Sequence, residues 1–149
     1  MIPTDVFNAR ILLVEDETFI RHTIRRLLRS LGNPEIREAA DGTEALAILR
    51  DGFDPEVIFC DVQMTPMDGY TFLKTVRGSS DLVLAATQVI VLTASADVNV
   101  VRRFSDLGIR SYLLKPVSRK QLADHMTAAI RYTETAHSRA ADGPRSPPH

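Results

Sequence analysis

Val57-Ile58-Phe59-Cys60-Asp61-Val62-Gln63-Met64 contains four apolar residues in a row, followed at once by a carboxylate. Because apolar and polar residues do not alternate, the run predicts a strand buried on both faces, as in a parallel sheet. The carboxylate at its end should then lie at the carboxyl edge of the sheet, where open α/β sheets bind their ligands. A single Asp is also typical of a helix cap or a turn. The meaning of Asp61 therefore depends on the rest of the chain.

A strand followed by an amphipathic helix is predicted repeatedly along the chain. Strands are predicted at 11–14, 35–39, 57–60, 89–92 and 111–114. Helices are predicted at 20–31, 41–49, 70–77, 97–107 and 122–130, from the spacing of apolar residues and from Gly, Pro and Asp at their ends. This alternation predicts an α/β fold, a (βα)5 doubly wound five-stranded parallel sheet with right-handed crossovers and helices on both faces.

The size and composition fit one globular domain. The chain has 149 residues, 44% of them hydrophobic and 25% charged, with a formal net charge of -1. A single cysteine, Cys60, excludes a disulfide framework or a thiolate metal site. With no signal sequence or membrane-length apolar run, we expect a cytoplasmic protein with no membrane and no direct DNA binding. We expect the domain to occupy residues 1–133 and a disordered tail, rich in Pro, Ser and Gly, to follow over 134–149.

Polar residues follow four of the predicted strands and should meet at one edge of the sheet. They are Glu15 and Asp16 after the first strand, Asp61 after the third, Thr93 after the fourth and Lys115 after the fifth. Three crowded carboxylates repel one another unless a cation lies among them, and Mg²⁺ prefers such oxygen ligands. A metal held by few carboxylates keeps positions open for phosphate oxygens, and an aspartate can be a nucleophile. The set predicts Mg²⁺-dependent phosphoryl transfer, with Mn²⁺ able to substitute.

The motifs resemble the receiver (CheY-like) domain of two-component response regulators, over a match from about residue 10 to 133. They are Glu15-Asp16, Asp61-Val-Gln-Met-Thr-Pro-Met-Asp-Gly69, Thr93-Ala94 and Tyr112-Leu-Leu-Lys115-Pro116. The resemblance implies the flavodoxin-like strand order 2-1-3-4-5. It also implies that Asp61 accepts a phosphoryl group from a phosphohistidine of a sensor histidine kinase or a histidine phosphotransfer protein.

The resemblance assigns roles to the residues around Asp61. It implies that Glu15, Asp16, Asp61 and the backbone carbonyl of Gln63 coordinate Mg²⁺, and that Thr93, Ala94 and Lys115 bind the phosphoryl group. It also implies a cis peptide bond between Lys115 and Pro116. The side chains of Gln63 and Ser95 flank the expected path of hydrolytic water, where they would tune the lifetime of the phosphorylated state; solvated loop residues would look the same.

The resemblance further implies a two-state switch. Thr93 and Tyr112 would rearrange on phosphorylation, and the face formed by the fourth predicted helix, the fifth strand and the fifth predicted helix would change shape to control a downstream protein or to form a homodimer. Tyr112 could instead be an ordinary half-buried aromatic residue of an edge strand. The arginines of the first helix, Arg21, Arg25, Arg26 and Arg29, are interpreted as a solvated face, with kinase docking as the alternative.

Two features depart from the family pattern. Thr65-Pro66 places the proline of the loop after Asp61 one position later than the family's usual Met-Pro-x-Met-Asp-Gly, with the loop length kept. The predicted tail is also too short for an output domain, so we expect a stand-alone receiver unless the chain is part of something longer.

Three other functions compete with the phosphorylation switch. A haloacid-dehalogenase-like phosphatase normally has a second Asp two residues after the nucleophile, where this chain has Gln63. A flavodoxin-type cofactor binder would need a hydroxyl- and glycine-rich phosphate loop after the first strand, where Glu15, Asp16 and Glu17 would repel phosphate. A degenerate receiver that only docks proteins is disfavoured by the intact set of acids, Thr93 and Lys115. We therefore expect self-phosphorylation and autodephosphorylation, and no turnover of an external substrate.

Overall fold

The computed structural model describes residues 7–142, apart from residue 96, and shows five parallel strands alternating with helices. The strands are β1 (Arg10–Val14), β2 (Glu35–Ala39), β3 (Val57–Asp61), β4 (Gln88–Thr93) and β5 (Ser111–Leu114). The helices are α1 (Thr18–Arg29), α2 (Gly42–Arg50), α3 (Gly69–Arg77), α4 (Leu82–Ala85), α5 (Val98–Ser105) and α6 (Arg119–Asp142). The strand order is β2-β1-β3-β4-β5, which confirms the predicted doubly wound α/β fold and its 2-1-3-4-5 order.

The sheet separates two apolar layers, and the strand β3 contributes to both. Val57 and Phe59 pack on one side with residues of α1 and α6, whereas Ile58 and Cys60 pack on the other with residues of α2, α3 and α5. All five residues of β3 are buried, which explains why its sequence does not alternate. The central strand is thus covered by helices on both faces, and its end carries Asp61 to the carboxyl edge.

The short helix α4 was not predicted. Its four residues are too few to show a helical period, and its N-terminal cap, Asp81, follows two serines that read as a turn. The Asp81 side chain accepts hydrogen bonds from the amides of Val83 and Leu84. The guanidinium of Arg77 in α3 donates to the carbonyls of Ala85 and Thr87, and so fastens this segment to the domain.

The last helix is longer than expected. We expected it to end near Thr133 and a disordered tail to follow, but α6 continues to Asp142. The sequence beyond Thr133 contains Ala, Glu and Arg, which favour helix, and the first strong helix breakers are Gly143 and Pro144. Residues 143–149 of the predicted tail lie outside the described residues, and the domain boundary at residue 133 stays a prediction.

Candidate functional site

The acidic pair after β1 divides into one buried and one exposed carboxylate. The amide of Glu15 donates to the carbonyl of Ala39 at 3.0 Å, which extends the pairing of β1 with β2 by one residue. The side chain of Glu15 is fully buried, and its Oε2 accepts a hydrogen bond from the amide of Glu17 at 3.1 Å. Asp16 is exposed. Glu15 is therefore fixed by the sheet, while Asp16 faces solvent at the same edge.

The loop after Asp61 is held against the end of β3 by a close backbone contact. A Cβ atom at Gly69 would lie 2.1 Å from the carbonyl oxygen of Asp61, so this approach requires glycine. The amide of Gly69 donates to the carbonyl of Val62 at 3.0 Å, and Asp68 caps α3 by accepting from the amide of Thr71 at 2.8 Å. The loop that carries Gln63 is thereby closed onto the candidate site.

Two peptide bonds at this edge are cis. The bond between Lys115 and Pro116 is cis, as the resemblance implied. The bond between Thr65 and Pro66 is also cis, which the sequence analysis did not predict. It lies where the chain departs from the usual family pattern.

Lys115 joins the buried carboxylates at the centre of the site. Its amide donates to the carbonyl of Thr93 at 2.8 Å, which fixes the end of β5 beside β4. Its Nζ donates to Asp61 Oδ1 at 3.0 Å and lies 2.6 Å from Glu15 Oε1. Asp61 Oδ1 also accepts from the amide of Val62 at 2.8 Å. The structure thus brings together side chains from the ends of three of the four strands for which the sequence predicted it, β1, β3 and β5.

Burial controls the ionisation of this cluster. Burial, with a smaller contribution from the charge of Asp61, raises the pKa of Glu15 to about 7, although Lys115 and the amide of Glu17 oppose the rise. Burial also raises the pKa of Asp61, against the effect of Lys115. Burial would lower the pKa of Lys115, but Glu15 and Asp61 outweigh it and raise that pKa. The lysine therefore stays protonated, while Glu15 lies close to its titration point at neutral pH.

The acids fit a hard divalent cation. Carboxylate oxygens of Glu15, Asp16 and Asp61 all lie within 4.8 Å of one another. Glu15 Oε1 is buried and accepts no hydrogen bond from the described residues; its close contact is the Lys115 ammonium. Three carboxylates this close together repel one another when ionised, and they suit Mg²⁺, which takes oxygen ligands and keeps part of its water shell. These three residues are the side chains that could hold the metal.

Thr93 and Tyr112 make hydrogen bonds away from Asp61. The hydroxyl of Thr93 donates to the carbonyl of Ser95 at 2.8 Å and accepts from its amide at 3.2 Å. The hydroxyl of Tyr112, which has one hydrogen to donate, lies 2.8 Å from the carbonyl oxygen of Ile109 and 3.2 Å from that of Val101. Both side chains are half-buried and occupied by backbone partners. Any contact of Thr93 with a phosphoryl group on Asp61 would first have to break its bonds to Ser95.

An open cleft of about 500 Å³ lies beside the acids. It is lined by Asp16, by the loop after β3 including Gln63, and by Tyr70 and Arg103. The guanidinium of Arg103 stacks over the Tyr70 ring, with 4.1 Å between the guanidinium carbon and the ring centre. Two larger grooves, of about 810 and 840 Å³, reach the start of β4 at the opposite edge of the sheet, far from the carboxylates. Of the three acids, Asp16 is the one that lines this cleft.

Arg21 has a role at the site that the sequence did not predict. Its NH1 donates to the backbone carbonyl of Glu15 at 2.8 Å, and its Nε donates to Glu38 Oε1 at 3.1 Å. The interpretation of the α1 arginines as a solvated face is therefore wrong for Arg21, whose side chain is only 15% exposed, and holds for Arg26 and Arg29. Arg21 and Arg25 are one helical turn apart and both bind Glu38. That spacing, with an acid in the neighbouring edge strand, is the signal that could have revealed the cluster.

Among residues 7–142 other than residue 96, no helix has the length and apolar character needed to cross a membrane.

Comparisons with known proteins point to one family. Residues 11–127 match the family model described as "Response regulator receiver domain". The chain is 33% identical over 138 residues to the "Regulator of RpoS" of Escherichia coli K12, a match covering 93% of this chain and 39% of that protein. The chain spans about two fifths to half the length of the curated relatives of this kind.

Shorter proteins match over nearly their whole length. The "Chemotaxis protein CheY-3" of Vibrio cholerae is 31% identical over 119 residues, covering 80% of this chain and 89% of that protein. The solved structure of the chemotaxis response regulator CheY4 of Vibrio cholerae superposes with a TM-score of 0.72 at 30% identity, covering 81% of this chain and 98% of that one. Similarity in sequence and in structure therefore converges on the same kind of domain.

Proposed function

This chain belongs to the response regulator receiver domain family, and we propose that it accepts a phosphoryl group on Asp61 from a phosphohistidine of a sensor kinase or a phosphotransfer protein. As a receiver domain, it is a signalling module rather than an enzyme that turns over an external substrate. The family implies a kinase as the upstream partner.

The position of the Lys115 ammonium carries this proposal. It lies 3.0 Å from Asp61 Oδ1 and 2.6 Å from Glu15 Oε1, at the point where all three acids meet. A lysine that only neutralised surface charge would not need to be buried, yet the side chain of Lys115 is 12% exposed. A fixed cation next to a nucleophilic carboxylate is suited to stabilising the negative charge that gathers on phosphoryl oxygens during transfer.

The chemistry requires one carboxylate oxygen to attack phosphorus. Asp61 Oδ1 is held by the Lys115 ammonium and the Val62 amide, and Oδ2 is the carboxylate oxygen that neither of these donors contacts. Oδ2 therefore attacks. A new P–O bond forms as the P–N bond of the phosphohistidine breaks, with its electron pair staying on the imidazole nitrogen. The product is an acyl phosphate on Asp61 and a free histidine on the donor.

Glu15, Asp16 and Asp61 would hold Mg²⁺, together with the backbone carbonyl of Gln63. When bound, the metal supplies charge neutralisation between the carboxylates and the incoming phosphoryl oxygens. Because Glu15 has a pKa of about 7, it must lose its remaining proton to serve as a ligand. Mn²⁺ would fit the same oxygen ligands.

The surface that changes shape and contacts the downstream partner is formed by α5, β5 and the start of α6. On phosphorylation, the Thr93 hydroxyl exchanges its bonds to Ser95 for the phosphoryl group, helped by Ala94 and Lys115. Tyr112 then releases the carbonyl of Val101, through which it holds α5. Exposed apolar side chains on this face, Val98, Val101 and Leu114, are suited to a downstream protein or a second copy of the chain. Gln63 and Ser95, both exposed, tune how fast water removes the phosphoryl group.

The proposal is tested by incubating the protein with Mg²⁺ and acetyl phosphate and measuring the intact mass. We expect one added phosphoryl group on the wild type and none on Asp61→Asn or after chelation of the metal. Asp68→Asn is the matched control, since Asp68 lies in the same loop but caps α3, and it should still gain the group. A wild type that gains nothing while a known receiver does, or an Asp61→Asn variant that is modified equally, would refute the proposal.

A further inference from the structure

The edge strand β2 holds the amide of Glu15 directly and its carbonyl through the side chain of Arg21. On one side, its amide donates to the carbonyl of Ala39 at 3.0 Å. On the other, its carbonyl accepts from Arg21 NH1 at 2.8 Å, and Arg21 Nε donates to the carboxylate of Glu38 at 3.1 Å. Since Glu38 directly precedes Ala39, these contacts form a closed loop that begins and ends on β2. We call it the Glu15 clamp, made of Glu15, Arg21, Glu38 and Ala39.

The clamp is shielded from solvent. The side chains of Arg21 and Glu38 are 15% and 24% exposed, so their ion pair is less screened than a surface pair. Arg25 NH1 adds a second bond to Glu38 at 2.7 Å. Although burial alone would raise the pKa of Glu38, Arg25 and Arg21 outweigh it and lower that pKa. The carboxylate that Arg21 contacts therefore stays ionised at neutral pH.

The carbonyl that Arg21 holds belongs to the peptide group between Glu15 and Asp16. Turning this peptide group about the Cα–C bond of Glu15 would move the Cα atom and the carboxylate of Asp16, while the side chain of Glu15 stays in place. It would therefore change the position of Asp16 relative to the Glu15 carboxylate, which the Lys115 ammonium contacts at 2.6 Å from Oε1. The sheet bond to Ala39 fixes the amide of Glu15 but does not stop this rotation, whereas a bond to the carbonyl does.

We propose that Arg21 is a positioning residue for the metal and phosphoacceptor site, which it acts on through the Glu15–Asp16 peptide group. The inference rests on the proposed function, because it assumes that these acids bind Mg²⁺. Arg21 itself touches neither the metal ligands' carboxylates nor Asp61 among its hydrogen bonds with the described residues. Its effect is to keep Asp16 oriented relative to Glu15 before the metal arrives, as outer partners of metal sites do.

Arg25 provides a matched control within the same cluster. It binds the same carboxylate of Glu38, at 2.7 Å, but the hydrogen bonds described for it do not include Glu15. Arg25→Gln and Arg21→Gln therefore each remove one charged contact with Glu38, while only Arg21→Gln frees the Glu15 carbonyl. If the cluster only stabilises the packing of α1 on β2, the two variants should behave alike.

The experiment titrates Mg²⁺ into the full chain, without a phosphodonor, and follows backbone amide signals by NMR. We expect Arg21→Gln to raise the dissociation constant for Mg²⁺ roughly tenfold, at the lower end of what losing an outer partner costs a metal site. The signals of Glu15 and Asp16 should shift in this variant before metal is added. Arg25→Gln should bind Mg²⁺ within about twofold of the wild type, with both signals near their original positions.

Equal Mg²⁺ affinities in the two variants would overturn the inference, as would a wild type that binds no Mg²⁺. Should Arg21→Gln fail to fold, Arg21→Lys serves instead: its single ammonium cannot repeat the two-armed contact, so wild-type affinity in that variant would also overturn the inference. Phosphorylation is measured separately by intact mass. A wild type that binds Mg²⁺ but gains no phosphoryl group refutes the proposed function and leaves the comparison of Arg21 with Arg25 valid.

Discussion

Replacing Glu15 by Gln should stabilise the metal-free protein at alkaline pH while weakening its function. Glu15 titrates at a pKa of about 7 in the folded protein, against an ordinary value of 4.5. The folded state thus holds the proton more tightly than the unfolded state, and stability falls as the pH rises from about 4.5 through 7. Above that range the ionised carboxylate costs the fold roughly 3 kcal/mol, at about 1.4 kcal/mol per pKa unit. A neutral Gln of the same shape avoids this cost.

The assay is urea unfolding followed by circular dichroism, with a chelator present, at pH 5 and pH 8.5. The Glu15→Gln variant should match the wild type closely at the lower pH and exceed its free energy of unfolding by up to about 3 kcal/mol at the higher one. Burial also raises the pKa of Asp61, so the contribution of Glu15 is read from the difference between the unfolding free energies of the variant and the wild type.

Magnesium provides the complementary half of this test. Added Mg²⁺ should stabilise the wild type at pH 8.5, because it binds the folded state, and should stabilise Glu15→Gln much less. If the variant were less stable than the wild type at pH 8.5, burial of the ionised Glu15 carboxylate would not destabilise the fold. If Mg²⁺ stabilised both proteins equally, Glu15 would not be a metal ligand.

Three further outcomes follow from single contacts. Gly69→Ala should lower the free energy of unfolding by roughly 1–3 kcal/mol through overpacking, because its Cβ would lie 2.1 Å from the carbonyl oxygen of Asp61. Gly78→Ala is the control, since its nearest atom would be 3.5 Å away, and urea unfolding should show a much smaller loss of stability for it. Cys60, fully buried with a raised thiol pKa, should react with a thiol reagent only after unfolding in urea. Tyr112→Phe removes the hydroxyl that contacts two backbone carbonyls and should lower the free energy of unfolding by about 1 kcal/mol. An unchanged thermal midpoint would argue against the hydrogen bonding of the Tyr112 hydroxyl.

The apolar strand runs determined most of what could be predicted. Buried strands such as 57–60 and 89–92 show no alternation, and the polar residue that ends each run marks the carboxyl edge. The placement of Glu15, Asp61 and Lys115 followed from that rule alone, because parallel strands deliver their ends to one edge. The carboxylate cluster was therefore predictable without knowledge of any contact.

Details that depend on packing between elements could not be predicted. The helix α4 is too short to show a period. The last part of α6 mixes strong helix formers with Thr, His, Ser and Asp and shows no apolar period, so it looked like a tail. Arg21 looked like a surface residue because its partner Glu38 lies in another element, and only the packing of α1 beside β2 brings them together. The hydroxyl of Thr93 bonds locally to Ser95, a preference that a motif does not reveal.

The most direct test of Asp61 as the phosphoacceptor is chemical localisation of the acyl phosphate. Borohydride reduces an acyl phosphate to a primary alcohol, which converts the modified aspartate into homoserine and leaves free carboxylates unchanged. After incubation with Mg²⁺ and acetyl phosphate, reduction and peptide mass spectrometry, we predict homoserine at position 61 and at no other acidic residue. Homoserine at Asp16, or a phosphorylated protein in which position 61 remains aspartate, would contradict the assignment.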